Sequence, residues 1–196
     1  KKPIIGMVHL LPLPGSSNYN GNISDIYQTA INEAIILEKA GINALIVENF
    51  NDEPFLINAP DPIQTAIMAG VVRDIRNSVS LPLGVNVQFN SWQSEMAIAH
   101  TCGADFIRVE VFVDTVISAM GIIEPCASKL IRYKKMLNAD VMIWADIQTK
   151  YTSNVIPQPI IQSAEDAENA QADAIIVTGA ATGKETPLED IIRAKE

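Results

Sequence analysis

The sequence predicts an α/β protein of the (β/α)8 barrel class, written as about six βα units in a single domain over residues 1–196. Three observations carry this expectation. Short runs rich in Ile and Val alternate with longer amphipathic segments along the whole chain. One joint, a helix end followed by a tight turn and then Asn or Asp, occurs three times. Polar and ionisable residues gather near the C-terminal ends of several different apolar runs, which is where barrels of this class keep their chemistry.

The strand candidates are 3–10, 43–50, 83–89, 106–112, 141–147 and 173–178. Each is brief and apolar on both faces, the pattern of a parallel strand covered by helices. Helix candidates fill the intervals. Ser24 or Asp25 can cap a helix over 26–39, which Gly41 stops. Asp61 followed by Pro62 opens the second, to about residue 77. Ser91 caps a third that Gly103 ends, and segments 124–137, 163–171 and 187–194 supply the rest. The recurring joint reads Gly41-Ile42-Asn43, Gly103-Ala104-Asp105 and Gln171-Ala172-Asp173.

Six parallel strands also fit an open doubly wound sheet. That alternative calls for a Gly-rich fingerprint after the first strand, and Pro12 to Gly15 lacks its spacing. At roughly 34 residues per unit, six units are six-eighths of a barrel. The remaining two units are expected outside residues 1–196, and many barrels build a phosphate site there.

Composition narrows the function. With 14 basic against 23 acidic side chains the net charge is -9, which argues against a general nucleic-acid or anionic-membrane binder. No uninterrupted apolar stretch approaches a membrane span. Lys1 and Lys2 before an apolar run mimic a signal peptide, but Pro12, Pro14 and Gly15 break the run and a cytoplasmic location is the expectation. Cys102 and Cys126 lie in apolar surroundings and read as buried thiols in a reducing compartment.

Strand parity places His9 with Met7 and Ile5, Glu48 with Ile46, and Asn49 on the opposite face. Asn86, Gln88 and Asn90 share one stripe, Arg108 and Glu110 another, and Trp144, Asp146, Gln148 and Lys150 a third. Turned inward, these stripes bring His9, Glu48, Asn86, Arg108 and Asp146 around one opening. A carboxylate beside an imidazole suits proton transfer, and Arg or Lys suits an enolate or phosphate. Asp146 or Glu48 is then the base, His9 the proton donor, Arg108 and Lys150 the anion holders, and Asn86 an orienting group. The bland reading pairs Arg108 with Glu110 or Glu48 as a structural ion pair and leaves His9 a packed ring and His100 a surface residue. No cofactor is predicted. A divalent ion held by Glu48, Asp146 and His9 is the alternative, without a compact motif behind it. After the sixth strand, Thr178 to Gly183 is rich in small residues, fit to let backbone N–H groups meet an anion or simply to shape a loop. Loop 11–22 is long for a βα turn and suits either a lid or a subunit contact.

Several longer motifs resemble the BtpA/SgcQ family. They are Gly-Met-Val-His-Leu-Leu-Pro-Leu-Pro-Gly-Ser at 6–16, Val-Glu-Asn-Phe-Asn-Asp-Glu-Pro-Phe at 47–55, Leu-Gly-Val-Asn-Val at 83–87 and Phe-Ile-Arg-Val at 106–109. Ala-Asp-Ile-Gln-Thr-Lys at 145–150 and Ile-Val-Thr-Gly-Ala-Ala-Thr-Gly at 176–183 extend the resemblance across the chain. It implies a full barrel of about 260 residues of the ribulose-phosphate-binding type. It also implies a link to photosystem I biogenesis, with peripheral thylakoid association, if the source is photosynthetic. His9, Glu48, Asn49, Asp52, Asn86, Arg108, Asp146, Lys150, Thr178 and Gly179 match the family pattern. The family usually has Asn where Glu110 stands, His where Tyr151 stands, and Arg-Asn-Asp-like residues near 88–91.

On these grounds Asp146, Glu48, His9 and Lys150 are expected to be catalytic. Asn49, Asp52, Asn86, Arg108, Glu110, Thr178 and Gly179 are expected to bind a small phosphorylated or sugar-like metabolite. The reaction expected is acid/base chemistry of lyase or isomerase type. The competing expectation is a non-catalytic assembly or stability factor. A small-molecule ligand and homo-oligomerisation are the expected partnerships.

Overall fold

A computed structural model describes residues 2–196; Lys1, part of the basic start considered above, lies outside the described residues. The chain divides into two compact units. One runs to Ile107 and takes in Ala139–Val141, and the other comprises Arg108–Asn138 and Met142–Glu196.

The first unit holds β1 (Ile5–His9), α1 (Ile23–Lys39), β2 (Ala44–Glu48), α2 (Pro62–Ser78), β3 (Leu83–Asn86), α3 (Trp92–Cys102) and the start of β4 (Phe106–Val109). Its strands are parallel and ordered β1-β2-β3-β4. Every residue of β2 and β3 is buried, so both faces are covered, as the apolar runs that precede Glu48 and Asn86 require. Gly84 of β3 is needed because a Cβ there would run into the Phe106 ring. The first cap differs from expectation. Asn22, not Ser24 or Asp25, accepts the N–H groups of Ser24 and Asp25, and the helix starts at Ile23. The Asp61–Pro62 start holds: the Gln64 side chain accepts the Asp61 N–H at 3.1 Å.

The second unit begins with Arg108 and Val109 of β4. It continues through β5 (Val116–Ser118), β6 (Gly121–Ile123), α4 (Ala127–Leu137), β7 (Met142–Ile147), β8 (Ser153–Asn154), α5 (Ile160–Asn169), β9 (Ala174–Val177) and α6 (Leu188–Arg193). Its parallel strands run in the order β4-β7-β9. The short strands β6-β5-β8 form a separate antiparallel sheet that the sequence did not disclose. Three-residue strands are too brief to show a period. Their presence displaces the start of α4 from the expected residue 124 to Ala127. Segment 106–112 is likewise strand only to Val109, and segment 83–89 only to Asn86. The fifth helix starts earlier than expected, at Ile160, and ends at Asn169. Cys102 and Cys126 are buried and unbridged.

The recurring joint proves to be one device used three times. Asn43 accepts the N–H of Ile4 at 2.8 Å through its side chain and returns its own N–H to the Ile4 carbonyl at 2.8 Å. Asp105 does the same with Leu83, at 2.7 Å in both directions. Asp173 repeats it with Ile143, at 2.7 and 2.8 Å. A residue at the entry of one strand thus grips the start of its neighbour by both its backbone and its side chain. The two carboxylates also carry a cation from a preceding helix, Arg76 on Asp105 and Lys134 on Asp173 at 3.6 Å. Replacing Asp105 by Ala is expected to cost about 1–3 kcal/mol of unfolding free energy, because the Leu83 N–H and Arg76 lose their acceptor. Asp105→Asn keeps a carbonyl oxygen for Leu83, as Asn43 does for Ile4, and is expected to cost less; urea titration of both variants checks the order.

Candidate functional site

Parallel pairing sets His9 opposite Glu48, and Glu48 opposite Asn86, so the last residues of β1, β2 and β3 form one row. Neighbouring strands lie ~4.8 Å apart, and side chains on such a row meet. The His9 ring stacks on Phe50, with centroids 4.4 Å apart and planes 14° apart. Its Nε2 lies 4.0 Å from Glu48 Oε1. Glu48 is 3% exposed while the His9 side chain is 38% exposed, so the carboxylate is sheltered and the imidazole reaches solvent. Gln88 donates its amide to Glu48 Oε1 at 2.9 Å and reaches Asn86 Oδ1 at 3.4 Å. Asn86 donates in turn to Glu95 Oε1 at 3.2 Å, which also accepts the Val87 N–H at 2.8 Å. Glu95, on the first turn of α3 and fully buried, thereby sets which way the Asn86 amide faces. Nothing in the period of α3 distinguishes Glu95 from a surface glutamate, and sequence reasoning missed it.

Asn49 faces away from this row, as strand parity requires. Its oxygen accepts the Gln88 N–H at 2.7 Å, and its amide donates to Asp52 Oδ2 at 3.0 Å. Asp52 accepts Gln64 Nε2 at 2.9 Å on the same oxygen and the Leu13 N–H at 2.7 Å on the other. Burial pushes the Asp52 carboxyl above its ordinary value, with the Leu13 N–H and the Asn49 amide pulling the other way. Loop 11–22 is pinned here: Leu13 is fully buried, and Asn51 donates to the Leu10 carbonyl at 2.7 Å. A cleft of about 310 Å3 opens beside this network, and its walls include Asn49, Asp52, Gln64 and Gln88. Gln64 was not singled out in the sequence; it stands three residues after Asp61, whose N–H it also accepts.

In the second unit Arg108 grips Asp146 with two parallel bonds, Nε to Oδ1 at 3.0 Å and Nη2 to Oδ2 at 2.9 Å. Thr149 adds a third donor to Asp146 at 3.1 Å. Both ends of the fork are buried, so this pair gives the guanidinium a fixed plane. Asp146 was not among the partners expected for Arg108. Glu110 is also buried, one residue past the end of β4. Asp114, passed over in the sequence, is a hub: it accepts the Gln148 N–H at 3.1 Å, Asn154 at 3.0 Å, Gln158 at 3.1 Å and Ser163 at 3.0 Å. It ties the loop carrying β8 to the start of α5.

Lys150 is half-buried just beyond β7. Thr178 follows β9, and a Cβ on Gly179 would stand 2.5 Å from the Lys184 carbonyl oxygen, so only glycine lets the loop fold back there. Tyr151 accepts the Thr182 N–H at 2.7 Å and holds that loop. His100 is exposed on α3.

Each unit by itself brings some of the expected polar residues together. His9, Glu48 and Asn86 share a row, Asn49 joins Asp52 behind it, and Arg108 joins Asp146 in the second unit. Thr178 and Gly179 belong to the loop that Tyr151 holds. Among the described residues, no three His, Cys, Asp or Glu side chains are grouped to hold a metal ion, and no helix is long and apolar enough to cross a membrane.

Strands, each followed by a helix, with polar residues at their C-terminal ends define a (β/α)8-barrel protein, and solved structures agree on the fold. The chain is similar to a phosphonomutase-like protein of Burkholderia cenocepacia (TM-score 0.57, 14% identity, 88% of this chain and 68% of that one). It is also similar to the N-acetylmannosamine-6-phosphate 2-epimerase of Clostridium perfringens (TM-score 0.56, 12% identity, 97% and 70%). At such identity these likenesses concern the fold alone. The chain belongs to the BtpA family, which it matches over residues 1–196. An uncharacterised protein of Methanocaldococcus jannaschii is 43% identical over all of this chain and 74% of its own length. The photosystem I biogenesis protein BtpA of Synechocystis is 40% identical over 96% of this chain and 66% of its own.

Two predictions follow from the buried carboxylates. Asp146→Ala takes the chelating carboxylate from a buried guanidinium and is expected to cost about 3–5 kcal/mol in urea unfolding. For Asp52, a native pKa raised above the unfolded one means the folded state binds the proton more tightly, so its contribution is full below about pH 4 and falls as pH rises through the raised value. The wild-type margin of stability over Asp52→Asn should therefore shrink as the pH rises above about pH 4, read from urea midpoints.

Proposed function

We propose that this BtpA-family barrel protein is an enzyme that moves a proton on a small phosphorylated or sugar-like metabolite, a lyase or isomerase in type. The observation that carries the reading is the His9–Glu48 pair: a sheltered carboxylate 4.0 Å from a solvent-reaching imidazole, at the adjoining ends of two parallel strands. Glu48 is the base. It is oriented by the Gln88 amide, so that its Oε1 has a fixed direction rather than a free rotor. His9, steadied by Phe50, is the proton donor, and its exposure lets it exchange protons with water between turnovers. Asn86 orients a substrate oxygen while Glu95 holds its amide.

Asp146 is a less suitable base than Glu48, because both of its oxygens already accept bonds from Arg108. Its part in this reading is to hold Arg108 rigid. A fold shared with sugar-phosphate enzymes is consistent with such a substrate but does not choose one.

The test is a metabolite screen with purified full-length protein, followed by Glu48→Gln and His9→Asn. Each variant is expected to lower kcat by roughly 10²- to 10⁴-fold with the fold intact by circular dichroism. Turnover that survives both substitutions unchanged rejects the assignment.

A further inference from the structure

The cleft beside Asp52 has a composition that selects its occupant. Its lining comes from loop 11–22 (Gly15, Ser16, Ser17), from the segment after β2 (Asn49, Asp52, Pro54, Phe55, Leu56), from the start of α2 (Asp61, Gln64) and from Gln88. At about 310 Å3 it lies at the small end of the range for metabolite sites, ~300–1,000 Å3. A single sugar ring or a short polyol is of a size to enter it.

Charge decides the class. Two carboxylates line the cleft, Asp52 and Asp61, and among the described residues no Lys, Arg or His does. A phosphate or carboxylate ligand would enter against like charge with no cation to offset it. A cation fares little better, because Asp52 already spends its oxygens on three donors, from Leu13, Asn49 and Gln64. What remains is a wall of mixed donors and acceptors: two serine hydroxyls, the Asp61 carboxylate, and the capacity that the Asn49, Gln64 and Gln88 amides keep beyond the bonds they already make. Phe55 and Pro54 supply an apolar side for C–H groups. Hydroxyl groups, each both donor and acceptor, match such a wall better than any ion does. Gly15 keeps the space open, since its φ is +97° and a Cβ there would stand 2.8 Å from Asp61 Oδ2.

We propose that this cleft binds an uncharged polyhydroxyl moiety, a monosaccharide ring or a polyol chain, and excludes anionic groups. The inference deepens the acid/base reading and rests on it for the substrate's fate, because Gln88 both lines the cleft and holds Glu48. Any phosphate on the substrate must lie elsewhere.

The experiment is an NMR titration of the 15N-labelled full chain, following the side-chain amides of Asn49, Gln64 and Gln88. The probes are ribitol, inorganic phosphate and ethanolamine. Ribitol is expected to give saturable shifts at these amides, and phosphate and ethanolamine none. Asp61→Asn and Phe55→Leu should each weaken ribitol binding by roughly tenfold while leaving the remaining spectrum folded. Absence of saturable ribitol shifts, or stronger shifts with phosphate or ethanolamine, overturns the inference. Glu48→Gln is expected to bind ribitol like the wild type. Turnover that depends on Glu48 without ribitol binding therefore removes only the cleft assignment, and ribitol binding with turnover indifferent to Glu48 removes only the acid/base one.

Discussion

Strand register is the constraint on which the polar row of this protein depends. A slip of one residue between parallel strands would turn every side chain to the other face. His9, Glu48 and Asn86 would then no longer share a row. The Asn43, Asp105 and Asp173 joints guard against that slip at the opposite ends of the strands. Each closes a two-bond ring with the start of the neighbouring strand, so the pairing is set where the chain enters the sheet. Stability is thus invested at one end of the strands and polar chemistry at the other, the division of labour of this fold class.

The polar residues at the far end are held by one another. Glu95 fixes Asn86, Asn86 and Gln88 face each other, and Gln88 holds Glu48. In the second unit Asp146 fixes Arg108, and Asp114 gathers four donors from the β7–α5 segment. Buried groups of this kind are costly unless satisfied, and a satisfied network is rigid. Rigidity is what a site needs if a carboxylate and an imidazole are to meet a reacting atom without reorganising.

Much of the fold was legible because it rests on local rules. Six βα units, the Asp61–Pro62 start and the glycine stops at Gly41 and Gly103 follow from periodicity and backbone conformation. The caps and the short strands were less legible. Asn22 outcompetes Ser24 because its oxygen sits where two N–H groups point, a matter of backbone direction rather than residue type. Strands β5, β6 and β8 exist only through pairing with one another, and two or three residues carry no period of their own.

For the candidate site the boundary is similar. The sequence alone determined the strand-end positions of His9, Glu48, Asn86, Arg108 and Asp146, because alternation along a strand is a property of the backbone. It also determined that Asn49 must face away from Glu48. Only the tertiary structure decided that Arg108 is chelated by Asp146, that Glu95 turns Asn86, and that Asp52 is buried among three donors. Those pairings join residues 3 to 39 positions apart. Their geometry is set by which strands and loops become neighbours in space, and neither residue type nor spacing encodes that distance.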